Sequence, residues 1–259
     1  MKVSIITPTF NSEKTVLRCL NSIKSQDYSN IEHIVIDGGS SDNTVKILEK
    51  NNSGFSKIIS EPDDGIYDAM NKGIKLATGD IIGILNSDDE YVYDRVISEL
   101  VDKFSKGADC VYGNIDFVKS NDVIRQWISG DFFKKSFFRG WHPPHPAFFV
   151  TKKVYNEIGL YRKELNIAAD FEFMLRFFER YDFKIKYLNK SVVNMAYGGE
   201  STGSLKNIIK GNLQCKKAFK LNDFNPPAFY MSRRLLPKLK QIKVLNFIFK
   251  RTKNEESIN

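Results

Sequence analysis

The stretch 81–91, IIGILNSDDEY, decides the fold prediction, because five largely apolar residues lead directly into a polar cluster, Asn86, Ser87, Asp88 and Asp89. A short β-branched run of this kind is typical of a strand that a mostly parallel sheet buries on both faces. Asn, Ser and Asp are also ordinary turn and capping residues, so the cluster alone does not establish a site. The deciding question is whether other polar clusters lie beside it.

The residues before this stretch alternate between strand and helix patterns. The predicted strands are Val3–Ile6, Ile31–Ile36, Lys57–Ile59 and Ile81–Leu85. Between them, apolar residues recur at helical spacing. This order predicts an α/β fold in which right-handed crossovers place helices on both faces of a mostly parallel sheet. The polar segments TPTFN, DGG and NSDD then end three strands at one edge, and their convergence favours a ligand site over separate turns.

The pattern changes after residue 105, where a continuous parallel repeat no longer fits. The elements predicted there are a strand pair at 108–118 and 122–128, an aromatic, proline-rich segment at 137–150, helices at Lys152–Ile158 and 170–181, and a short strand near Val192–Ala196. We therefore expect a first domain over residues 1–200, with halves at 1–105 and 106–200. A basic helical extension over residues 201–259 follows it.

The net charge of +8 is located in that extension, since thirteen Lys or Arg and only three Asp or Glu follow residue 200. Residues 233–251 mix bases with apolar residues at spacings near three and four. This pattern predicts an amphipathic helix on an anionic membrane surface, or alternatively a helix packed on the domain with a solvated basic face. The helix also offers a surface for a homodimer. Nucleic acid is not an expected partner, because no recognition motif accompanies the bases.

Cysteine usage and hydropathy predict where the chain works. Cys19, Cys110 and Cys215 lie far apart, which indicates reduced thiols and neither a disulfide framework nor a zinc site. No apolar run approaches the ~20 residues of a membrane span, and KVSIITPTF is too short for a signal peptide. We expect a cytoplasmic protein that is peripheral on the inner face of the plasma membrane.

Two adjacent carboxylates at a strand end suit a hard divalent cation. Mg²⁺ or Mn²⁺ prefers oxygen ligands and keeps positions open for water and phosphate. Such an ion bridges the oxygens of a diphosphate and stabilises its negative charge as it departs. Asp88 and Asp89 therefore predict a Mg²⁺ or Mn²⁺ site that takes a diphosphate-bearing ligand.

Four segments in order resemble the successive motifs of family 2 glycosyltransferases with the GT-A fold: VSIITPTFN, IEHIVIDGGSSDNT, GIYDAMNKGIKLATGDIIGILNSDD and AADFEFMLR. The resemblance covers roughly the first 200 residues and is closest to small bacterial enzymes that build exopolysaccharides and O-antigens. It implies inverting, metal-dependent transfer from a nucleotide-diphosphate sugar, most commonly a UDP-sugar, to a hydroxyl of a glycan or lipid-linked acceptor. The first half would bind the nucleotide, and the second would face the acceptor.

The resemblance also implies roles for individual donor-site residues. Asp37 would hydrogen-bond the donor's base. Asn86 stands where the metal motif usually has its first acid, so Asp88 is the favoured ligand and Asp89 would support the metal or the donor sugar. The other residues implied are Thr7, Pro8 and Asn11 around the nucleotide, Lys72 at a phosphate, and His145 at the metal or the diphosphate.

Asp170 is the implied catalytic base. An inverting transfer needs one general base to deprotonate the acceptor hydroxyl as it attacks the anomeric carbon. The family usually presents this base as the Asp of an ED pair that opens a helix, and AADFEF has Ala169 in place of the Glu. The structural alternative is that Asp170 caps the helix, and Glu172 is the fallback base.

Several other side chains keep a structural alternative beside a functional one. Trp141 would either stack on a sugar face or simply pack, and His145 would either contact ligand or be satisfied in a rigid turn. His33 alternates with apolar residues in a strand and is interpreted as structural. Lys72 and Arg176 are either phosphate donors or solvated helix-face charges.

Three competing functions remain open. A sugar nucleotidyltransferase needs a glycine-rich loop with bases near the first strand, and TPTFNSEKT offers Lys14 without such a loop. A dinucleotide oxidoreductase is weaker, because DGGSSD does not fit G-x-G-x-x-G. A non-catalytic membrane-surface binding module with a degenerate transferase fold is permitted by Asn86 and Ala169.

Overall fold

The computed structural model describes residues 1–52, 54–120, 122–196, 205–228, 230 and 232. Within this part of the chain the strands are β1 (Val3–Thr9), β2 (Ile31–Asp37), β3 (Ser56–Ser60), β4 (Ile81–Ile84), β5 (Glu90–Tyr91), β6 (Cys110–Lys119), β7 (Asp122–Trp127), β8 (Phe148–Thr151) and β9 (Ile185–Ala196). The helices there are α1 (Val16–Lys24), α2 (Thr44–Asn52), α3 (Ile66–Leu76), α4 (Val96–Ser105), α5 (Lys152–Ile158), α6 (Ala169–Arg180) and α7 (Leu205–Leu221).

The first four strands form the parallel half of a single sheet. Their spatial order is β3-β2-β1-β4, and Val3 of β1 pairs with Ile31 of β2 and Ile81 of β4. Every residue of β1 is buried, as expected for a central strand covered on both faces. The predicted α/β class is confirmed. The first three predicted strands are found with boundaries one to three residues longer, and β4 ends one residue before the predicted Leu85.

The second half of the sheet mixes strand directions. β8 runs antiparallel to both β4 and β6, β9 runs parallel to β6, and β5 pairs antiparallel with β9. The predicted strand pair is β6 and β7, which are antiparallel. The strand predicted near Val192–Ala196 is the end of the 12-residue β9, and α4 was not predicted.

The two largest of the three apolar cores in the described part of the chain lie on opposite faces of the sheet, because successive strand residues point to opposite sides. Ile6 joins the larger core with α3 and the aromatic residues of α6, whereas its neighbour Ile5 joins the smaller core with Cys19 of α1 and Phe104 of α4. Gly73 permits the close approach of α3, since a Cβ there would lie 2.4 Å from Ile6 Cγ2. The layers therefore hold the strand ends in fixed positions.

The start of the predicted extension folds against the first domain. Helix α7 packs on α6, and Cys215, Ala218 and Phe219 are part of the larger core. The Gln214 side chain accepts a hydrogen bond from the Ile167 backbone at 2.9 Å. The division of the chain at residue 200 stays a prediction, and the amphipathic helix predicted at 233–251 lies outside the described residues.

Hydropathy of the described helices gives one further result. None of them combines the length and the apolar character that crossing a bilayer requires.

Candidate functional site

The ends of several strands meet at one edge of the sheet, as predicted. Thr9 at the end of β1 pairs with Asp37 at the end of β2. The Ser12 hydroxyl lies 2.8 Å from the Ser87 hydroxyl, which joins the turn after β1 to the turn after β4. The backbone of Ala196, the last residue of β9, is close enough to the Asp89 carboxylate to act on its pKa, in the lowering direction. This edge is the candidate site.

The turn after β4 buries oxygen atoms that lack hydrogen-bond partners. Asp89 is fully buried, and its Oδ2 accepts from Asn86 Nδ2 at 3.1 Å. Asp89 Oδ1 and Asn86 Oδ1 are both buried without a donor among the described residues. Such orphaned acceptors are uncommon in folded proteins and need an explanation. Burial and the neighbouring Asp88 charge raise the pKa of Asp89 well above its usual value.

These atoms fit a hard divalent cation, which takes carboxylate and amide oxygens as ligands. Asp88 adds a half-buried carboxylate next to the orphaned oxygens. In the described part of the chain, no three His, Cys, Asp or Glu side chains group as a metal site. A six-coordinate ion at Asp88 and Asp89 would therefore take most of its ligands from water and substrate.

Arg18 of α1 is a basic residue at this turn that the sequence reasoning missed. Its Nη2 donates to the Asp88 carbonyl oxygen at 2.9 Å, and its Nε lies 3.3 Å from a carboxylate oxygen of Glu90. Nothing in the sequence separates Arg18 from an ordinary helix-face base, since the contact depends on how α1 packs beside β4.

The Asp37 carboxylate is surrounded by donors from the protein itself. It is fully buried and accepts from Gly39 N–H at 3.1 Å, Ser40 N–H at 2.9 Å, the Ser60 hydroxyl at 2.7 Å and the Ser40 hydroxyl. These bonds order the turn after β2. That Asp37 binds the base stays a prediction, and this geometry disfavours it.

The loop between β3 and α3 places a second carboxylate above that turn. If Gly38 carried a Cβ, that atom would lie 2.6 Å from Asp63 Oδ2. Asp63 is half-buried, and its Oδ1 accepts from Gly65 N–H at 2.8 Å. Phe10, in the turn after β1, is 61% exposed. The sequence reasoning missed both residues, although Phe10 stands in the segment TPTFN after β1 and Asp63 follows the end of β3 by three residues.

The residues predicted around the nucleotide differ in exposure. Thr7 and Pro8 are buried, and the Thr7 hydroxyl lies 3.0 Å from His33 Nε2. Burial and the Lys24 charge lower the pKa of His33 to about 3, so this histidine is neutral in the core. Asn11 has a left-handed backbone with φ of 47°, and its side-chain oxygen accepts from the Ser41 N–H at 2.9 Å.

Asp170 lies in the first turn of α6. The Tyr67 hydroxyl donates to Asp170 Oδ1 at 2.9 Å. Burial and the Asp170 charge raise the pKa of Tyr67 well above its usual value, so the phenol stays protonated and remains a donor. The N-cap position of α6 belongs to Ala168, so the capping alternative for Asp170 does not hold.

His145 belongs to a buried tyrosine cluster beside Asp170. Its Nε2 lies 3.0 Å from the Tyr161 hydroxyl, which lies 3.1 Å from the Tyr155 hydroxyl. Burial lowers the pKa of His145, and the nearby Asp170 charge opposes that shift. Its contact with a metal or diphosphate stays a prediction.

Lys72 of α3 is held by the loop that carries Asp63. Its Nζ lies 2.7 Å from a Glu61 carboxylate oxygen and donates to the Pro62 carbonyl at 3.1 Å. The hydrogen bond with Glu61 is the main cause that raises the pKa of Lys72. A phosphate contact for Lys72 stays a prediction, and here the side chain fixes a loop.

Three other side chains have structural partners. Glu172 is fully buried, and its carboxylate pairs with the Arg176 guanidinium at 3.1 Å. The fallback base is thus occupied, and Arg176 is a buried ion-pair partner instead of a solvated charge or a phosphate donor. Trp141 Nε1 donates to the Ser129 carbonyl at 2.6 Å and its ring packs against Phe137, in agreement with the packing alternative.

Several known proteins are similar to this chain over most of its length. A family model described as Glycosyl transferase family 2 matches residues 4–189. An uncharacterized glycosyltransferase of Mycobacterium tuberculosis is 40% identical over 179 residues, which are 67% of this chain and 68% of the relative. A PGL/p-HBAD biosynthesis glycosyltransferase of Mycobacterium bovis is 32% identical over 205 residues, covering 76% of this chain and 78% of the relative.

Solved structures share the fold at low sequence identity. S. aureus TarS superposes with a TM-score of 0.68 at 19% identity, over 93% of this chain and 43% of that longer chain. A complex of TarS 1–349 with UDP-GlcNAc gives 0.65 at 22% identity, over 79% and 61% of the two chains. Mannosyltransferase PcManGT from Pyrobaculum calidifontis, with GDP-Man and Mn²⁺, gives 0.60 at 16% identity, over 87% and 66%.

Proposed function

Because this chain belongs to glycosyl transferase family 2, we propose that it catalyses an inverting, metal-dependent sugar transfer. The donor is a nucleoside-diphosphate sugar, and the acceptor is a hydroxyl of a glycan or a lipid-linked glycan in the synthesis of a bacterial surface polysaccharide. One observation carries the metal-dependent part. Asp89 Oδ1 and Asn86 Oδ1 are buried without a donor among the described residues, next to the Asp88 carboxylate.

Donor binding uses the turn after β4. Asp88 and Asp89 would hold a Mg²⁺ or Mn²⁺ ion, with Asn86 as a neutral oxygen ligand. When bound, the ion supplies positive charge to the departing diphosphate. The bound TarS and PcManGT structures name UDP-GlcNAc, GDP-Man and Mn²⁺ as ligands of those proteins. These names support a nucleotide-sugar donor here.

Proton removal is assigned to Asp170. The base must stand near the acceptor hydroxyl and be ionised when that hydroxyl attacks. The Tyr67 hydroxyl donates a hydrogen bond to Asp170 Oδ1 at 2.9 Å, and no donor among the described residues is hydrogen-bonded to Oδ2. The carboxylate is half-buried, so that its second oxygen is available to an acceptor hydroxyl. Asp170 is therefore the catalytic base in this proposal.

A lipid-linked acceptor suits a protein that binds the inner face of the plasma membrane. On α7, the side chains of Ile209 and Leu213 are 55% and 58% exposed one turn apart. Exposed Lys210, Lys217 and Lys220 lie on the same helix. Apolar and basic side chains on one surface favour an anionic bilayer, where each nearby base contributes on the order of 1 kcal/mol.

The test is a thermal-shift panel of UDP, GDP and dTDP with and without Mn²⁺, since a ligand that binds the folded state raises its melting temperature. We expect one nucleotide to raise the melting temperature only with Mn²⁺ present. Asp88→Ala should abolish that shift and the Mn²⁺-dependent hydrolysis of the matching nucleotide sugar.

The matched control is Asp182→Ala, because Asp182 is exposed in the loop before β9, at the opposite edge of the sheet. This variant should keep both the shift and the hydrolysis. If the wild-type protein bound anionic vesicles but no nucleotide, the non-catalytic binding module would replace the transferase.

A further inference from the structure

The surroundings of Asp37 disfavour it as the residue that recognises the donor's base. The Asp37 carboxylate, at the end of β2, accepts from two backbone N–H groups and two serine hydroxyls and has no exposed surface. A ligand could reach it only by displacing these donors. A different acceptor is needed at this position of the site.

Asp63 occupies the space that a side chain at Gly38 would fill. The three atoms nearest to a Cβ on Gly38 are Asp63 Oδ2 at 2.6 Å, Cγ at 3.0 Å and Oδ1 at 3.1 Å. All three belong to the carboxylate group. The turn after β2 therefore has no side chain of its own at this point, and the next loop provides a carboxylate there.

The loop that carries Asp63 is fixed on both sides. Gly65 N–H donates to Asp63 Oδ1 at 2.8 Å, and Lys72 Nζ donates to the Pro62 carbonyl at 3.1 Å. Pro62 also packs over the turn after β2, within 3.7 Å of a Cβ placed on Gly39. These contacts hold the carboxylate in one place without using its Oδ2.

The distance from the metal turn suits a nucleoside. β2 is two strands away from β4 in the sheet, and neighbouring strands are about 4.8 Å apart, so the two turns are about 10 Å apart. A ribose and a diphosphate span that separation. Phe10 stands in the turn after β1, between them, with 61% of its surface exposed, as an apolar face for a planar ring.

We propose that Asp63 recognises the donor's base by accepting a hydrogen bond from a ring N–H, an inference that rests on the proposed nucleotide-sugar transfer. An ionised carboxylate only accepts hydrogen bonds. Uracil, thymine and guanine carry hydrogen on the ring nitrogen of their pairing edge. Cytosine and adenine present a lone pair there, which repels a carboxylate. Asp63 thus selects uridine, thymidine or guanosine donors over cytidine and adenosine donors.

Calorimetric titration of UDP and CDP in the presence of Mn²⁺ tests this selection. The wild-type protein should bind UDP more tightly than CDP. Asp63→Ala should weaken UDP binding by about 10- to 100-fold, the loss expected for one charge-assisted hydrogen bond, and leave CDP binding unchanged. Asp64→Ala is the matched control, because Asp64 is the exposed neighbour in the same loop. The Asp64→Ala protein should bind both nucleotides as the wild type does.

A double variant separates recognition from loop structure. Gly38 is absent from the glycines with positive φ, so an L-residue fits its backbone, but only after the Asp63 carboxylate is removed. Asp63→Ala combined with Gly38→Asp returns a carboxylate to the same space and should recover most of the preference for UDP over CDP.

Equal losses for UDP and CDP in Asp63→Ala, with no recovery in the double variant, would show a structural role for the loop and overturn the inference. The same holds if Asp63→Ala binds both nucleotides as the wild type does. The proposed function fails separately, when the wild-type protein binds no nucleotide with Mn²⁺ at all.

Discussion

The turns after β2 and β4 each bury an aspartate completely, but they treat its carboxylate in opposite ways. Asp37 receives four hydrogen bonds from its own turn and from Ser60. Asp89 receives one side-chain hydrogen bond, from Asn86, and lies beside a second carboxylate, with Oδ1 left without a donor in the described residues. Both residues lie at the same edge of the sheet, Asp37 as the last residue of β2 and Asp89 five residues after the end of β4, and the surroundings of their carboxylates differ.

This difference separates an aspartate that builds the fold from one that is kept for a ligand. A buried carboxylate with full hydrogen bonding contributes to stability, whereas one that lacks partners costs stability. Natural proteins retain such costs at functional sites. The same substitution at Asp37 and Asp89 should therefore have opposite consequences for stability and activity.

The largest effect is expected from Asp89→Asn. This change keeps the side-chain volume and removes the charge that would hold the metal. The turnover rate of the nucleotide sugar with Mn²⁺ should therefore fall on the order of 10³-fold, which corresponds to about 4 kcal/mol of activation free energy. The free energy of unfolding without metal should stay the same or rise, because a buried charge beside Asp88 is removed. Kinetics and urea unfolding measure the two quantities, and Asp182→Asn is the control. A lower free energy of unfolding in Asp89→Asn would contradict the distinction drawn between Asp89 and Asp37.

Asp37→Asn should show the reverse pattern. The amide oxygen can replace Oδ2, which accepts from Gly39 N–H, Ser40 N–H and the Ser60 hydroxyl, but these three bonds then lose their charge assistance. The amide N–H group faces the Ser40 hydroxyl, which can no longer donate to this position. We expect a loss of about 3 kcal/mol in the free energy of unfolding. Urea unfolding measures it, and the KM for the donor of the folded variant should stay within about threefold of wild type, since Asp63 replaces Asp37 at the base in our proposal. A large rise in KM with normal stability would return the base-binding role to Asp37.

Sequence reasoning found the elements that depend on local pattern. The run 81–85 and its three companion strands were predicted because a buried parallel strand needs an apolar β-branched run, and the α/β class is confirmed. The family resemblance is also confirmed. The mixed second half was harder, because the segment 137–150, which leads into β8, is aromatic and proline-rich and lacks a clear period.

The site was predicted only as far as the strand ends locate it. Sequence shows that Asp37 and Asp89 each end a strand, but it does not show that Ser60, 23 residues further along, saturates the first carboxylate. It also does not show that Asp63 lies over Gly38, because that contact joins two separate loops. Roles that depend on partners from distant segments require the packed structure.

Like Asp37, His33 is a buried group whose polar atoms are all hydrogen-bonded, and its charge can be changed by pH. Both ring nitrogens are hydrogen-bonded, to the Thr7 hydroxyl at 3.0 Å and the Ser56 hydroxyl at 2.6 Å, and burial is the main cause that lowers its pKa to about 3. Because the folded pKa lies below the unfolded value near 6.5, the stabilising contribution is complete above pH 6.5 and is lost as pH falls toward 3.

Between pH 7.5 and 5 this histidine should lower the free energy of unfolding by about 2 kcal/mol. Urea unfolding of wild type and His33→Gln at both pH values measures the difference, which the variant should lack. Glu32 does not interfere. Burial acts to raise its pKa, but hydrogen bonds from Ser4 and Thr78 lower it to about 2, so its contribution is lost only below pH 4.5. An equal pH dependence in both proteins would contradict the prediction.

Asp170 is intermediate between Asp37 and Asp89, because it is half-buried and accepts one hydrogen bond, from the Tyr67 hydroxyl at 2.9 Å. Tyr67→Phe removes that donor and leaves the carboxylate free to rotate, so kcat should fall about tenfold, or about 1.4 kcal/mol, at unchanged KM for the donor.

The matched control for Tyr67→Phe is Tyr155→Phe, which removes another buried hydroxyl of the same cluster. The Tyr155 hydroxyl lies 3.1 Å from the Tyr161 hydroxyl and has no hydrogen bond to Asp170, so its loss should leave kcat unchanged. If both variants lowered kcat equally, Tyr67 would be a packing residue and would not position Asp170. A loss of kcat confined to Tyr67→Phe would group Asp170 with Asp89, as a carboxylate whose remaining oxygen is kept for a substrate.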